Sequence, residues 1–526
     1  MDADKIRIRE LEKQLAEKES TILALQKSIN ELTRQVSNLT EAILQMRHDK
    51  YGSSSEKNLS VLSGQISFFN EIEKEAAPLV NEEPFEADSK GRAKKNDKRT
   101  RSDMITGDIP VEEVVISLKD DEMSCDICGS KLKPVARQFV RDELRYIPSR
   151  LKIIRYMRMV YECPQCKHSD KPVMFRTLAP TSLLNHSLAS PSSVAYVMYQ
   201  KYVQGIPLFR LEKEWERMGI LLSRTTMANW VIRCFQDHLS PVADHMRKQM
   251  ISRDIAHVDE TPVQVLKEDG RKPQSKSYMW VYRTGNDGKA PIVMYDYQPS
   301  RSGDNAAAYL KDFKGFVHSD GYSGYNKLTE VTRCGCWAHL RRKFAEAVPK
   351  GKVPGVKGSQ AQIGIRYCDR LFSIEDELKD MDPEARYTKR QELAKPVLEA
   401  FWSWLETVNA LPGGKLGKAV AYAVNQKKYL ENYMLDGRLS ISNNAAENAI
   451  RPFVIGRKNW LFSDTPKGAA ASAGIYSIVE TAKANGLDPY DYLELLLLNM
   501  PDWDHTDEYI DDLMPWTEYA KEQASK

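Results

Sequence analysis

No stretch of this 526-residue chain offers the roughly 18 consecutive apolar residues of a membrane-spanning helix, and the run Leu493–Leu498 is far too short. The opening MDADKIRIRE also lacks the apolar stretch of a signal peptide. Membrane and secreted classes are therefore set aside, and a cytoplasmic protein is expected. Net charge is scarce as well: 76 Lys and Arg stand against 73 Asp and Glu, a formal surplus of +3. Taken as an average, that surplus gives no reason to propose a nucleic-acid partner. What is present, 42% hydrophobic and 28% charged residues, is ordinary globular composition rather than disorder or fibre. At about 100–200 residues per domain, the length calls for three or more domains.

Residues 1–49 carry a heptad pattern. Ile8, Leu15, Ile22, Ile29, Val36 and Ile43 recur every seven residues, and Leu11, Leu25, Leu32, Leu39 and Met46 fill the alternate positions. Lys18 is the one break. Mostly β-branched residues at a with Leu at d favour a parallel two-stranded coiled coil. An amphipathic helix packed on its own chain would drift toward a 3.6-residue period, whereas this pattern holds 3.5. A homodimer or higher homo-oligomer through this zipper is the expectation. Residues 50–108 then read as a charged flexible linker, acidic in EIEKEAAPLVNEEPFEAD and basic in KGRAKKNDKRTR.

Residues 109–178 contain Cys125-Asp-Ile-Cys128 and Cys163-Pro-Gln-Cys166. Two CxxC knuckles let four thiolates surround one tetrahedral zinc. A disulfide pair is disfavoured by a cytoplasmic setting, and a redox CxxC by the presence of two matched knuckles. Strands within FVRDELRYIPSRLKIIRYMRMVYEC would bring the knuckles together. Residues 131–176 hold twelve Lys or Arg against four Asp or Glu, so a basic zinc module facing nucleic acid is expected despite the near-neutral total. Cys234, Cys334, Cys336 and Cys368 lack paired spacing and read as buried thiols.

Residues 179–245 read as helical, with the outline of a helix-turn-helix. Gly219 would make the turn, Ser223 would cap the second helix, and Leu208, Leu211, Trp215, Met227, Trp230 and Val231 would pack. Arg224, Thr225, Thr226 and Asn229 would then reach a major groove. An ordinary helical hairpin fits the same residues. From 246 to 345 the pattern changes to strands over Ile255–Leu266, SYMWVYRT, PIVMYDYQ and GFVHSD, with DNAAAYLKDF as a helix, which indicates an α/β sheet. A helical insertion follows over 346–437, then residues 438–500 with helices, and an acidic tail over 501–526 holding eight Asp or Glu against two Lys.

Asp259 and Asp320 each lie two residues after a histidine, His257 and His318, and that spacing puts each His–Asp pair on one strand face. Glu447 lies in a helix capped by Ser442 or Asn443, among the small residues Ala445, Ala446 and Ala449. Three carboxylates meeting there would hold two divalent cations for phosphoryl transfer, and hard oxygen ligands point to Mg²⁺ or Mn²⁺. With 73 acids in the chain, spacing alone does not single these out, and Asp254, Glu260 and Asp304 are rivals. His257 and His318 read as core groups behind the acids rather than ligands.

The stretches HVDETPVQVL, HSDGYSGYN, CWAHLRRKF, LPGGKLGKAVAYA and LSISNNAAENAIRPFVIGRKNWLFS, followed by IYSIVETAKANGLDPYDYLELLL, resemble the DDE transposases of the insertion sequence 66 family. The order of parts is similar too: zipper, zinc module, helical region, catalytic core. That resemblance implies a ribonuclease-H-like core with Asp259, Asp320 and Glu447 as a DDE triad and Mg²⁺ or Mn²⁺ as its cofactor, beside a structural Zn²⁺ on Cys125, Cys128, Cys163 and Cys166. It implies a structural or DNA-contacting role for His339, and phosphate or end-DNA contacts by Arg451, Arg457 and Lys458. The implied activity is binding of insertion-sequence ends, metal-dependent strand cleavage and strand transfer into target DNA, with accessory proteins of the same element as possible partners. The rival classes are a non-catalytic zinc-containing DNA-binding regulator derived from a transposase, and a structure-directed nuclease.

Overall fold

The computed structural model describes residues 13–15, 17–29, 151–157, 160–162, 174–176, 181–348 and 359–524. The linker, the four paired cysteines and the remaining zipper positions lie outside the described residues. Residues 17–29 are helical, and Leu15, Ile22, Leu25 and Ile29 of the heptad stripe are all exposed. In the zinc-finger region, β1 (Val160–Glu162) pairs antiparallel with β2 (Met174–Arg176), on either side of the second knuckle in sequence. No helix among the described residues is long and apolar enough to cross a membrane.

Four helices precede the sheet. Ser190 starts α1 (Pro191–Tyr202) with a capping box, its hydroxyl accepting from Ser193 N–H while the Ser193 hydroxyl accepts from its own N–H. The helices α2 (Leu208–Arg217) and α3 (Arg224–Cys234) form the expected hairpin. Gly219 at its bend has φ of 91°, a left-handed conformation that glycine adopts without a Cβ penalty. Ser223 caps α3 by accepting from Thr226 N–H at 3.1 Å. A π-helical turn, Phe235–Leu239, leads into α4 (Ser240–Ile251).

The sheet comes next, in the order β5-β4-β3-β6-β7. The three strands β3 (Ile255–Gln264), β4 (Lys276–Thr284) and β5 (Val293–Gln298) run antiparallel to their neighbours. After α5 (Gly303–Tyr309), β6 (Phe316–His318) returns parallel to β3, and β7 (Thr332–Cys334) lies parallel to β6. The sequence reading missed β7, because three residues are too few to show a period. In β3 the first four residues are all buried, whereas the last four alternate buried and exposed. That pattern marks a strand covered on both faces at its start and on one face at its end.

Four helices then form a second apolar core: α6 (Trp337–Glu346), α7 (Gln360–Leu378), α8 (Pro383–Thr407) and α9 (Lys415–Glu431). Leu371, Ile374, Leu378, Phe401 and Leu405 are buried there around Trp337 and Phe344 at helical spacing. Arg390 of α8 is fully buried within this core. It donates to both oxygens of Glu375 at 2.8 and 2.6 Å, and to the carbonyls of Tyr433, Asp436 and Leu439 at 2.9, 2.8 and 2.7 Å. One guanidinium therefore ties α7 and α8 to the loop that enters the last part of the chain.

That part comprises α10 (Asn444–Trp460), α11 (Pro466–Ala484), α12 (Pro489–Asn499), α13 (Asp507–Asp512) and α14 (Glu518–Ala524). Helix α11 covers the outer edge of β5. The Thr481 hydroxyl accepts from Val293 N–H at 3.0 Å and donates to its carbonyl at 2.9 Å, and the Ser477 hydroxyl accepts from Tyr295 N–H at 2.7 Å. These hydroxyls satisfy backbone groups that an open sheet edge would leave unpaired. The acidic segment after Pro501 is no free tail. Ile510, Leu513, Met514, Ala520 and Ala524 are buried, and Asp511 sits 2.6 Å from His245 of α4.

Arg390→Ala would leave the Glu375 carboxylate and three carbonyls without their partner. A loss of about 3–5 kcal/mol of stability is expected, the usual cost of breaking a buried pair from one side, measured as a lower midpoint in denaturant unfolding.

Candidate active site at β3, β6 and α10

Parallel pairing sets His257 of β3 opposite His318 of β6. Two residues further along, Asp259 lies in β3 opposite Val281 of β4, and Asp320 lies just past the end of β6. The two aspartates therefore stand at corresponding positions on neighbouring strands. Glu447 reaches the same place from the first turn of α10, which packs on β3 and β4.

The carboxylates feel one another. Burial pushes the Asp259 carboxyl up to about 8, and the adjacent Glu260 and the charges of Asp320 and Glu447 add to the push. Asp259 Oδ1 accepts from Glu260 N–H at 2.9 Å, and Asp320 Oδ1 accepts from Tyr322 N–H at 2.9 Å. Among the described residues, no Lys or Arg pairs with either aspartate. The rival acids differ on this point. Glu260 is tied to Arg301 and to the Tyr325 hydroxyl, Asp254 lies 3.1 Å from Arg438, and Asp304 lies 2.6 Å from Lys327. Each rival has a cation at ion-pair distance, whereas Asp259 and Asp320 have none among the described residues; Arg301 and Arg333 act on Asp320 only from further off.

Behind the acids, the His257 and His318 rings stack with centroids 4.3 Å apart. Burial holds both well below the usual histidine range, so the stack is uncharged at neutral pH. His257 Nδ1 and Asn443 Oδ1 are hydrogen-bonded at 3.1 Å. Asn443 also donates from Nδ2 to the Val258 carbonyl at 2.8 Å and from its backbone N–H to Cys336 Sγ at 3.2 Å. This changes the expected cap. Asn443 holds the N-cap position of α10, but its side chain caps nothing and fastens the helix start to β3. Ser442 makes only a long contact, its hydroxyl accepting from Asn444 N–H at 3.5 Å.

Two residues of α6 meet Glu447. His339 Nδ1 lies 3.6 Å from its Oε1, and Arg342 lies 3.5 Å from its Oε2. The His339 contact gives that CWAH residue a place beside the carboxylates. Arg342 was not singled out in the sequence, although it lies one turn beyond His339 on the same helix face.

The residues expected to touch DNA lie apart from one another in role. Arg224, Thr225 and Asn229 of α3 are exposed, and Thr226 is engaged in the helix cap. On α10, Arg451 and Lys458 are exposed. Arg457 is half-buried and donates to the Thr261 hydroxyl at 3.1 Å, so it anchors α10 to β3 through a hydroxyl rather than an acid.

Asp320 and Glu447 thus stand near enough for their charges to act on Asp259, in a mixed α/β core within a mostly helical chain. Residues 186–471 match the transposase IS66 family, residues 477–516 the IS66 C-terminal element, and residues 122–167 the zinc-finger binding domain of transposase IS66. The chain belongs to the IS66 transposase family. It is similar to three proteins of Sinorhizobium fredii. Uncharacterized protein y4qI is 29% identical over 94% of this chain and 90% of its own length, and uncharacterized protein y4hP is 27% identical over 78% and 75%. Uncharacterized protein y4jD is 26% identical over 78% of this chain and 80% of its own length.

Without divalent cations, folded Asp259 keeps its proton up to about 8, while the unfolded side chain ionises near 3.8. The native state then binds more protons across that interval, so stability falls as pH rises from about 4 to 8. In chelator, Asp259→Asn is expected to flatten this slope and raise the melting temperature at pH 8. An unchanged slope in the variant would remove Asp259 as its source.

Proposed function

We propose that this transposase binds the ends of a bacterial insertion sequence and catalyses metal-dependent strand cleavage and strand transfer, with Asp259, Asp320 and Glu447 as its DDE triad. The observation that carries the reading is the register of β3 against β6, with α10 laid across β3 to bring Glu447 to the two aspartates. Three antiparallel strands followed by two parallel ones support a ribonuclease-H-like core interrupted by the helices α6 to α9.

The residues fit a divalent cation: burial, with the charges of Glu260, Asp320 and Glu447 added, pushes the Asp259 carboxyl up, and an oxygen-bound cation would relieve both. Held by Asp259, Asp320 and Glu447, Mg²⁺ or Mn²⁺ would activate the attacking oxygen and stabilise the leaving oxygen of in-line phosphoryl transfer. The chain's own groups do the positioning. Asn443 fixes the start of α10 so that Glu447 faces β3, and the neutral His257–His318 stack closes the floor to water. Arg301 and Tyr325 hold Glu260 out of the set.

DNA contacts are assigned to Arg451, one turn beyond Glu447, to Lys458 near the other end of α10, and to Arg224, Thr225 and Asn229 on α3, with Thr226 positioning that helix. Cys125, Cys128, Cys163 and Cys166 hold one structural Zn²⁺ in a basic module that faces DNA. The exposed heptad stripe of residues 15–29 supports pairing of protomers, which would hold two element ends together in the cytoplasm.

Asp320→Asn is expected to lower Mg²⁺-dependent cleavage and joining of the element's own ends by at least about 10³-fold, since a metal site contributes several kcal/mol to the barrier. Equal strand transfer by wild type and variant at equal melting temperature would refute the triad. Removal of residues 1–48 is expected to turn the oligomer into monomers in light-scattering measurements; an unchanged mass would place the main interface elsewhere.

A further inference from the structure

Cys336, His339 and Glu447 each offer one ligand atom, and these three atoms all lie within 4.8 Å of one another. Cys336 is the N-cap residue of α6 and His339 lies three residues on, so the first helical turn presents the sulfur and the ring on one side. Glu447 comes from the first turn of α10. His339 Nδ1 and Glu447 Oε1 are both buried without a hydrogen-bond partner, and they stand 3.6 Å apart. That distance is too long for a hydrogen bond. It is close to the about 3.3–3.6 Å that separates nitrogen and oxygen ligands across a tetrahedral zinc with bonds of about 2.0–2.2 Å.

We propose that Cys336, His339 and Glu447 form a zinc site, separate from the four-cysteine module and softer than the Asp259–Asp320 oxygen set. A thiolate, an imidazole and a carboxylate favour Zn²⁺ over Mg²⁺, because Mg²⁺ takes oxygen ligands almost alone. The charges also fit, since a thiolate and a carboxylate together neutralise a divalent ion. Burial pushes the Cys336 thiol up to about 11, and the backbone N–H groups of Asn443, His339 and Ala338 work against that push. On binding, the S–H bond is replaced by an S–Zn bond and one proton is released to solvent. Arg342 occupies the other Glu447 oxygen at 3.5 Å and leaves Oε1 for the metal.

The assignment does not require Glu447 to be catalytic. Where the triad reading also holds, the two sites share Glu447, whose carboxylate would bridge the zinc and the cation on the aspartates.

The test is a zinc count on the full-length protein, saturated with zinc and desalted, with wild type beside Cys336→Ser and His339→Gln. Wild type is expected to retain about one zinc more per chain than either variant, at matching circular dichroism and melting curves. The comparison is repeated with Cys125→Ser and Cys128→Ser present. The difference should persist there, so a failure of the four-cysteine reading is seen separately from a failure of this one. In the same background Co²⁺ should give a thiolate charge-transfer band that Cys336→Ser abolishes. Equal zinc in wild type and in whichever variant folds, with no such band, would overturn the site. None of these readouts depends on strand cleavage, so a failure of the triad leaves the result interpretable.

Discussion

The arrangement of acids depends on one buried amide. Asn443 satisfies the Val258 carbonyl and the His257 ring from one side chain, while its backbone N–H meets the Cys336 sulfur. Three elements, β3, α10 and α6, are thereby joined at a point four residues before Glu447 and next to Asp259. Carboxylates repel one another, and no cation of the described chain separates Asp259 from Asp320. Burial, with like charge nearby, raises the Asp259 carboxyl. A neutral clamp suits this purpose. A charged group at Asn443 would either cancel the field of the acids or add to it.

The same economy of charge runs through the core. Arg390 with Glu375, Arg253 with Asp287 and Arg271 with Glu268 are buried pairs in which each ion meets its opposite. Burying a lone ion costs far more than burying a pair, so such pairing is the default in the interior. Asp259 departs from it, buried beside other acids with no ion-pair partner among the described residues. The near-neutral total of +3 conceals both this local imbalance and the basic stretch of 131–176. The acidic C-terminal segment, which offsets part of that stretch, is spent on the protein's own surface, where Asp507 and Asp511 meet Lys248 and His245 of α4.

Much of the scaffold was legible in the residues. The buried start of β3, the helical hairpin with Gly219 at its bend and Ser223 at its cap, and the apolar stripes of α7 and α8 follow from period and turn chemistry. What escaped were features set by distance along the chain. The strand β7 is three residues long and is defined by its partner. Asn443 looked like a cap because Asn commonly caps helices, yet the pull of a buried ring and carbonyl on β3 outweighed the local option. Cys336 read as a buried thiol, and burial was the right part of that reading. Its neighbours arrive from α10, more than a hundred residues later, and no local pattern announces them. Choosing three acids among 73 likewise needed the pairing of β3 with β6, because the rivals are told apart by their cationic partners.

The helices between β7 and α10 are therefore more than an interruption of the sheet. The first of them, α6, brings His339 and Arg342 to Glu447. The last, α9, lays the Tyr422 ring against Gly321, where a Cβ would stand 2.4 Å from a ring carbon. Gly321 directly follows Asp320, so the residue beside the second aspartate is packed by one end of the helical block while the glutamate is packed by the other. Arg390 then fixes α8 to the loop that leads into Asn443. A rigid helical core thus grips the chain on both sides of the site. It holds Asp320 and Glu447 at a set separation although a long stretch of sequence lies between them.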